Sequence, residues 1–223
     1  MAFKLDSDLS AVNSILGSIG QAPVTTLNYE NPEVGLCKNL LDETNVDVQS
    51  EGWHFNTERE YKFDVDANGR IPVPPNALNM NVSGLNVWRV ADVVDRDGYL
   101  YNLLTHSNNW STWNNSAGCV YCDVTWLFPF KGIPPVFQRY VTLKASVRAA
   151  TQLVSNPQLS QLLQQQTEMQ RAACMQEDCE MGDNTFFGWP YGTVYRSYQP
   201  YRTLARGPMI GSANAYDNRN PLQ

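Results

Sequence analysis

The chain has 223 residues, of which 43% are hydrophobic, 17% charged and 11% aromatic, and its formal net charge is −6. That length and apolar content suit one large or two small folded domains, and exclude a disordered acidic chain and a coiled-coil rod. The acidic balance gives the whole chain no basic footprint for nucleic acid, and no apolar run approaches the roughly 18 residues of a membrane span. Met1-Ala-Phe-Lys-Leu-Asp6 lacks the apolar stretch of a signal peptide, so a soluble protein made in a cytoplasm is expected.

The first predicted element is a helix. Leu9, Val12, Leu16 and Ile19 recur at spacings of three and four, which sets them on one face. Asp6, Ser7 and Asp8 offer a cap and first-turn acids, and Gly20 and Pro23 end the pattern. A second helix opens at Asn31-Pro32-Glu33, with Asn as cap and Pro at the first helical position. Its stripe is Leu36, Cys37, Leu40, Leu41 and Val48, ending near Gly52, and Asp42, Glu43 and Asp47 form a solvated acidic face.

The period then changes to two. Trp53, Phe55, Thr57, Arg59, Tyr61, Phe63 and Val65 alternate as a strand does, and Asn68-Gly69 closes a hairpin turn. Ile71-Pro-Val-Pro-Pro75 fits only an edge or a loop, because its prolines donate nothing to a ladder. Further strands are expected around Leu85 and Val87 and at Val93-Val94, with a tight turn at Arg96-Asp97-Gly98 before Tyr99-Leu-Tyr101. The Asn-rich stretch 105–115, with Trp110 and Trp113, reads as an exposed loop, and 120–130 as the last strand. A third helix starts at Pro134-Pro135 and carries Phe137, Tyr140, Val141, Lys144, Val147 and Thr151. Asn156-Pro157 starts a fourth, with Leu159, Leu162, Leu163, Met169 and Ala173 on one side, seven Gln between Gln158 and Gln176, and Gly182 at its end.

These patterns predict an α+β fold. Residues 1–53 and 132–182 form a discontinuous helical bundle, because each amphipathic face needs a partner. Residues 54–131 form an inserted antiparallel β domain, and 183–223 an extended C-terminal arm. Leu9, Val12, Leu16, Ile19, Leu36, Leu40, Leu41, Phe137, Val141 and Leu162 are expected to bury together.

Motifs for chemistry are sparse. Cys119 and Cys122 form a lone C-x-x-C among five cysteines. Zinc would need two more ligands, and Cys37, Cys174, Cys179, His54 and His106 have no matching spacing. Gly17-Ser-Ile-Gly20 follows a helix and lacks the Lys of a phosphate loop. Neither histidine has a Gly-x-Ser-x-Gly elbow nearby. The carboxylate pairs Asp95/Asp97 and Glu58/Glu60 are better explained as turn chemistry and as the polar face of a strand opposite Trp53 and Tyr61. No catalytic, cofactor-binding or metal-binding residue is therefore assigned, and no cofactor is expected.

The last 41 residues, 183–223, contain no Lys, four Arg and five Tyr, and no helical or strand period. Tyr191, Tyr195, Tyr198 and Tyr201 interleave with Arg196 and Arg202. Tyr and Arg anchor protein interfaces, so Tyr191, Tyr195, Arg196, Tyr198, Tyr201 and Arg202 are the candidate partner contacts. Stacking on single-stranded nucleic acid and a plain unanchored tail are the alternatives.

The opening phrase Leu9-Ser-Ala-Val-Asn-Ser-Ile-Leu-Gly-Ser-Ile-Gly-Gln-Ala-Pro-Val-Thr-Thr-Leu27 resembles the start of the podophage tail tubular protein A family, the head-to-tail adaptors of short-tailed phages. Gly52-Trp-His-Phe-Asn56, Gly98-Tyr-Leu-Tyr101 and Pro134-Pro-Val-Phe-Gln-Arg-Tyr140, leading to Lys144-Ala-Ser146, follow in that family's order over residues 5–182. The resemblance implies a structural virion protein without catalytic residues. It implies a dodecameric ring that joins the portal to the tail nozzle, tail tubular protein B, helps seat a tail fibre and lets genomic DNA through its centre. Assembly in the bacterial host cytoplasm, a place in the virion tail and no membrane insertion follow from the same likeness. An acidic channel suits DNA that must slide without sticking. A tail-associated glycan hydrolase acting on the host envelope is the alternative, and would need two carboxylates about 5–9.5 Å apart in a cleft.

Overall fold

The computed structural model describes residues 8–82, 92–111 and 119–182. The described chain mixes helix and strand in the order α1 (Asp8–Ser18), α2 (Pro32–Gln49), β1 (Thr57–Asp64), β2 (Ala77–Val82), β3 (Val93–Arg96), β4 (Tyr99–Asn102), β5 (Cys119–Trp126), α3 (Pro135–Ala149) and α4 (Pro157–Gly182). It separates into two compact units: residues 8–58, 76–79 and 124–182, and residues 59–75, 80–82, 92–111 and 119–123.

The first unit holds the helices. At α2, Asn31 accepts a hydrogen bond from the Glu33 N–H and Pro32 opens the helix, as the sequence predicts. At α4, Asn156 Oδ1 accepts from Gln158 N–H at 3.0 Å. Asp8 lies in the first turn of α1, whereas Asp6 and Ser7 lie outside the described residues. The helices pack around α3, which touches α1, α2 and α4. Val12, Leu16, Leu40, Leu41, Phe137 and Val141 are all buried in one core. Ala11, Ile15 and Val34 join them, and Ile19 and Leu36 pack half-buried against the cluster.

Leu162 does not belong to that core: it is 59% exposed, and its neighbour Leu163 is buried instead. One position is 100° on a helix, so an apolar pair in sequence leaves the phase open. Met169 and Ala173, read as the same face, are also exposed. In α4 only Leu163, Cys174 and Gly182 are buried. Thr151 lies beyond α3, in a π-helical turn, Ala150–Val154, that ends at Ser155 with φ +52°.

The predicted strand from Trp53 to Val65 begins later. His54–Asn56 form a 3-10 turn, and the strand starts at Thr57. Alternation also breaks at Glu60, whose φ is +59° and whose N–H donates to the Asp123 carboxylate. Of β1 only Phe63 is buried, and Tyr61 is 42% exposed, so Glu58 and Glu60 do not form the polar side of a regular face. The sheet order is β1-β5-β2. The turn at Asp66–Gly69 forms, with Asp66 Oδ1 taking the Asn68 and Arg70 N–H groups, but β1 pairs with β5 rather than across that turn.

In the second unit β3 and β4 make an antiparallel hairpin with Arg96 opposite Tyr99. Asp97 and Gly98, at φ +56° and +75°, supply the two positive φ angles that a two-residue turn of this hand requires. The proline stretch lies at its edge: Val73 N–H donates to Gly98 O and Leu100 N–H to Ile71 O, so the prolines donate nothing. The loop holding Trp110 is not wholly exposed. Trp110 is 1% exposed and its Nε1–H donates to Leu100 O at 2.7 Å, so the indole is the plug of this unit. Trp113, Leu85 and Val87 lie outside the described residues. The last strand ends at Trp126, and Phe130 sits in a 3-10 turn.

Candidate interaction surface

The segment Gly52–Asn56 is a structural joint. Gly52 has φ +76°, which lets α2 end and the chain turn. Trp53 then drops its ring against Phe137 at 4.9 Å between centroids, and its Nε1–H donates to Val48 O. Phe55 meets the same Phe137 at 4.7 Å. Asn56 is buried and fully used: its Nδ2 donates to Gln49 O and Trp126 O, and its Oδ1 accepts from Trp53 N–H. Gln49 in turn clasps Phe128, donating to its carbonyl and accepting its N–H. These aromatic and amide groups pack in or against the core and hydrogen-bond within the fold.

The groups singled out for chemistry are dispersed. Cys119 and Cys122 stand three apart on β5 and are both buried; side chains alternate along a strand, so odd separations face opposite sides. Burial pushes the Cys122 thiol up to about 12, and burial with Glu51 nearby does the same at Cys174. Only Cys179 is exposed. His54 lies in the first unit, where its N–H donates to Asp178, and His106 lies in the second, in a turn with φ +52°. Asp95 accepts the Gly98 N–H within the hairpin. Among the described residues no group of three His, Cys, Asp or Glu side chains is placed to hold a metal ion, and no helix is long and apolar enough to cross a membrane.

Charge on the helical unit is paired within α2 and between elements. Glu51 receives Lys144 of α3 at 3.6 Å and Arg171 of α4 at 3.0 Å. Arg148 of α3 reaches Asp47 and Glu43 on α2, and Lys38 reaches Asp42 and Asp8. Asp42, Glu43 and Asp47 are thus not only a solvated face: each holds a cation.

Several apolar side chains of the helical unit are left outward. Leu162, Met169 and Met175 on α4 are 59%, 74% and 53% exposed, and Leu153 and Val154 in the π-helical turn are 44% and 39% exposed. Thr151, Asn156 and Gln164 line a shallow depression of about 440 Å³ where the π-helical turn meets the start of α4. The sequence carried this signal as an apolar list on the fourth helix longer than one stripe can bury. The sequence-predicted contacts Tyr191, Tyr195, Arg196, Tyr198, Tyr201 and Arg202 lie outside the described residues.

Comparison with known proteins gives the family. Tail tubular protein A of Klebsiella phage KP34 is 34% identical over 98 residues, which cover 44% of this chain and half of that protein's length. The sequence model of the tail tubular proteins matches residues 9–184, from α1 to just past the end of α4. The chain belongs to the tail tubular protein family, the structural proteins of phage tails.

Proposed function

We propose that the chain is a non-enzymatic ring subunit, the head-to-tail adaptor between portal and tail nozzle. In this reading it helps seat a tail fibre and lines a channel through which genomic DNA passes without specific binding. Twelve copies close the ring, assembled in the host cytoplasm and carried in the virion tail. Residues 1–53 and 132–182 act as the helical domain, 54–131 as the β insertion and 183–223 as an arm that ties neighbouring copies.

The observation that carries the reading is the family match across residues 9–184. It is supported by the net charge of −6, which keeps a phosphate backbone from adhering. It is supported too by the use of the motif aromatics and amides inside the core. Native mass measurement of the purified full chain tests it. A closed particle of twelve times 25.1 kDa is expected; a monomer at every concentration overturns the ring. Release of reducing sugar from host polysaccharide, lost on no other change than removal of the protein, overturns the non-enzymatic reading.

A further inference from the structure

We propose that the outward face of the β3–β4 hairpin is a docking surface for a protein segment carrying two neighbouring carboxylates, held by the guanidinium groups of Arg70 and Arg96. The proposal does not depend on the ring reading above.

Side chains alternate along β4. Leu100 and Asn102 are buried, whereas Tyr99 and Tyr101 are half-buried on the other face. Pairing sets Arg96 opposite Tyr99 and Val94 opposite Tyr101, and directly opposed residues share a face. The outward face of the hairpin therefore shows Val94, Arg96, Tyr99 and Tyr101, with no carboxylate among them. Arg70 joins it from the neighbouring proline stretch, where Pro72 bridges Tyr99. The Arg70 guanidinium lies 5.4 Å from the centre of the Tyr99 ring, and that of Arg96 lies 4.0 Å from the centre of the Tyr101 ring. Both arginines are exposed.

A guanidinium laid on a ring keeps its N–H edge free, and the stack fixes its plane before any ligand arrives. That edge matches a carboxylate bidentately. The nearby acids do not take it up. Asp66 Oδ1 accepts the Asn68 and Arg70 backbone N–H groups, and Asp95, paired on the Leu100 side, accepts the Gly98 N–H. Among the described residues, Lys38, Lys62, Lys144, Arg148 and Arg171 are all ion-paired, whereas Arg70 and Arg96 have ring partners instead. In a chain with 22 acidic and 16 basic side chains, two stacked arginines on one face stand apart from that pattern.

Charge selects the occupant. Asp92, Asp95 and Asp97 are exposed beside or within the hairpin. A polyphosphate, with a charge every few ångströms, runs into these acids; a protein segment with one pair of carboxylates passes between them. Tyr99 and Tyr101 stand two residues apart, about 7 Å. The matching pair is Asp or Glu at i and i+4 of a helix, or at i and i+2 of a strand.

The test measures fluorescence anisotropy of a fluorescein-labelled deca-glutamate peptide titrated with the full chain at low salt. Saturable binding is expected, weakened about fivefold by Arg70→Ala or Arg96→Ala and lost when both are changed. The double Arg→Lys variant keeps the charge without the planar fork and is expected to bind several-fold more weakly than the original chain. On the original chain the peptide should also protect Arg70 and Arg96 from phenylglyoxal, read by mass spectrometry, a measurement that needs no variant to fold. Absence of saturable binding, or of protection, overturns the proposal. Undiminished binding by the double Lys variant reduces the face to plain charge and overturns it too. Tighter binding of labelled deca-thymidylate, lost in the double Ala variant, assigns the face to phosphate and overturns the carboxylate partner. Each outcome reads the same whether the particle is a ring or a monomer.

Discussion

Asn56 shows what a short motif does inside the fold. Its amide answers three backbone groups from α2, the Trp53 turn and β5. Asn56→Ala leaves buried partners unanswered at about 1–3 kcal/mol for each such group, so urea unfolding should show a loss of at least about 2 kcal/mol. Thr44 is the converse case. It is fully buried in α2, and among the described residues its hydroxyl has no hydrogen-bond partner. Thr44→Val keeps the shape and removes an unanswered hydroxyl, and should raise stability by up to about 1 kcal/mol in the same assay. The thiols give a third check. Four of five cysteines are buried, so a thiol reagent at pH 8 should titrate one group, Cys179, in the native chain and all five after denaturation. Cys122 and Cys174 are raised from 9.0 to about 12. The folded state holds their protons longer than the unfolded chain does. The stability they contribute is present below about pH 9 and is lost as pH rises toward 12.

At the scale of elements, α3 is the hub. Phe137 is fully buried and meets both Trp53 and Phe55, so Phe137→Ala should cost about 3–5 kcal/mol by thermal or chemical unfolding. Helix starts were legible because Asn-Pro states its geometry locally: a capping oxygen and a preset φ. The two-residue turn at Asp97-Gly98 was legible for the same reason. The phase of α4 was not, since Leu162 and Leu163 are equally apolar and only the position of α3 selects between them. The start of β1 was misread because Trp53 and Phe55 happen to continue the alternation while packing on Phe137. Trp110 was hidden in a polar run, where a single large ring carries no period. Glu60 in a left-handed conformation has no sequence signal either, because its hydrogen bond to Asp123 is long-range.

At the scale of the molecule, the family was legible from the first helix onward, because α1 and its following loop carry a long continuous phrase. The Tyr and Arg residues read as partner contacts lie outside the described residues, whereas the exposed apolar residues of α4 emerge only once the helix phase is known. Deleting residues 183–223 removes no residue of the described core. The shortened chain is expected to keep its melting temperature within a few degrees while ring closure measured by light scattering weakens. A large drop in melting temperature would instead assign the segment to its own core.

The α1–α2 pair and α3 share one core although α2 ends at Gln49 and α3 begins at Pro135. During synthesis the first two helices therefore leave the ribosome without the surface they are made to cover. At 5–20 residues per second, the intervening segment takes about 4–17 s to appear. Closing a loop of that length costs about 4 kcal/mol of chain entropy beyond a constant term. Val12, Leu16 and Leu41 stay open to solvent or to a chaperone for that interval, so translation speed between codons 50 and 134 governs how long the nascent subunit is vulnerable.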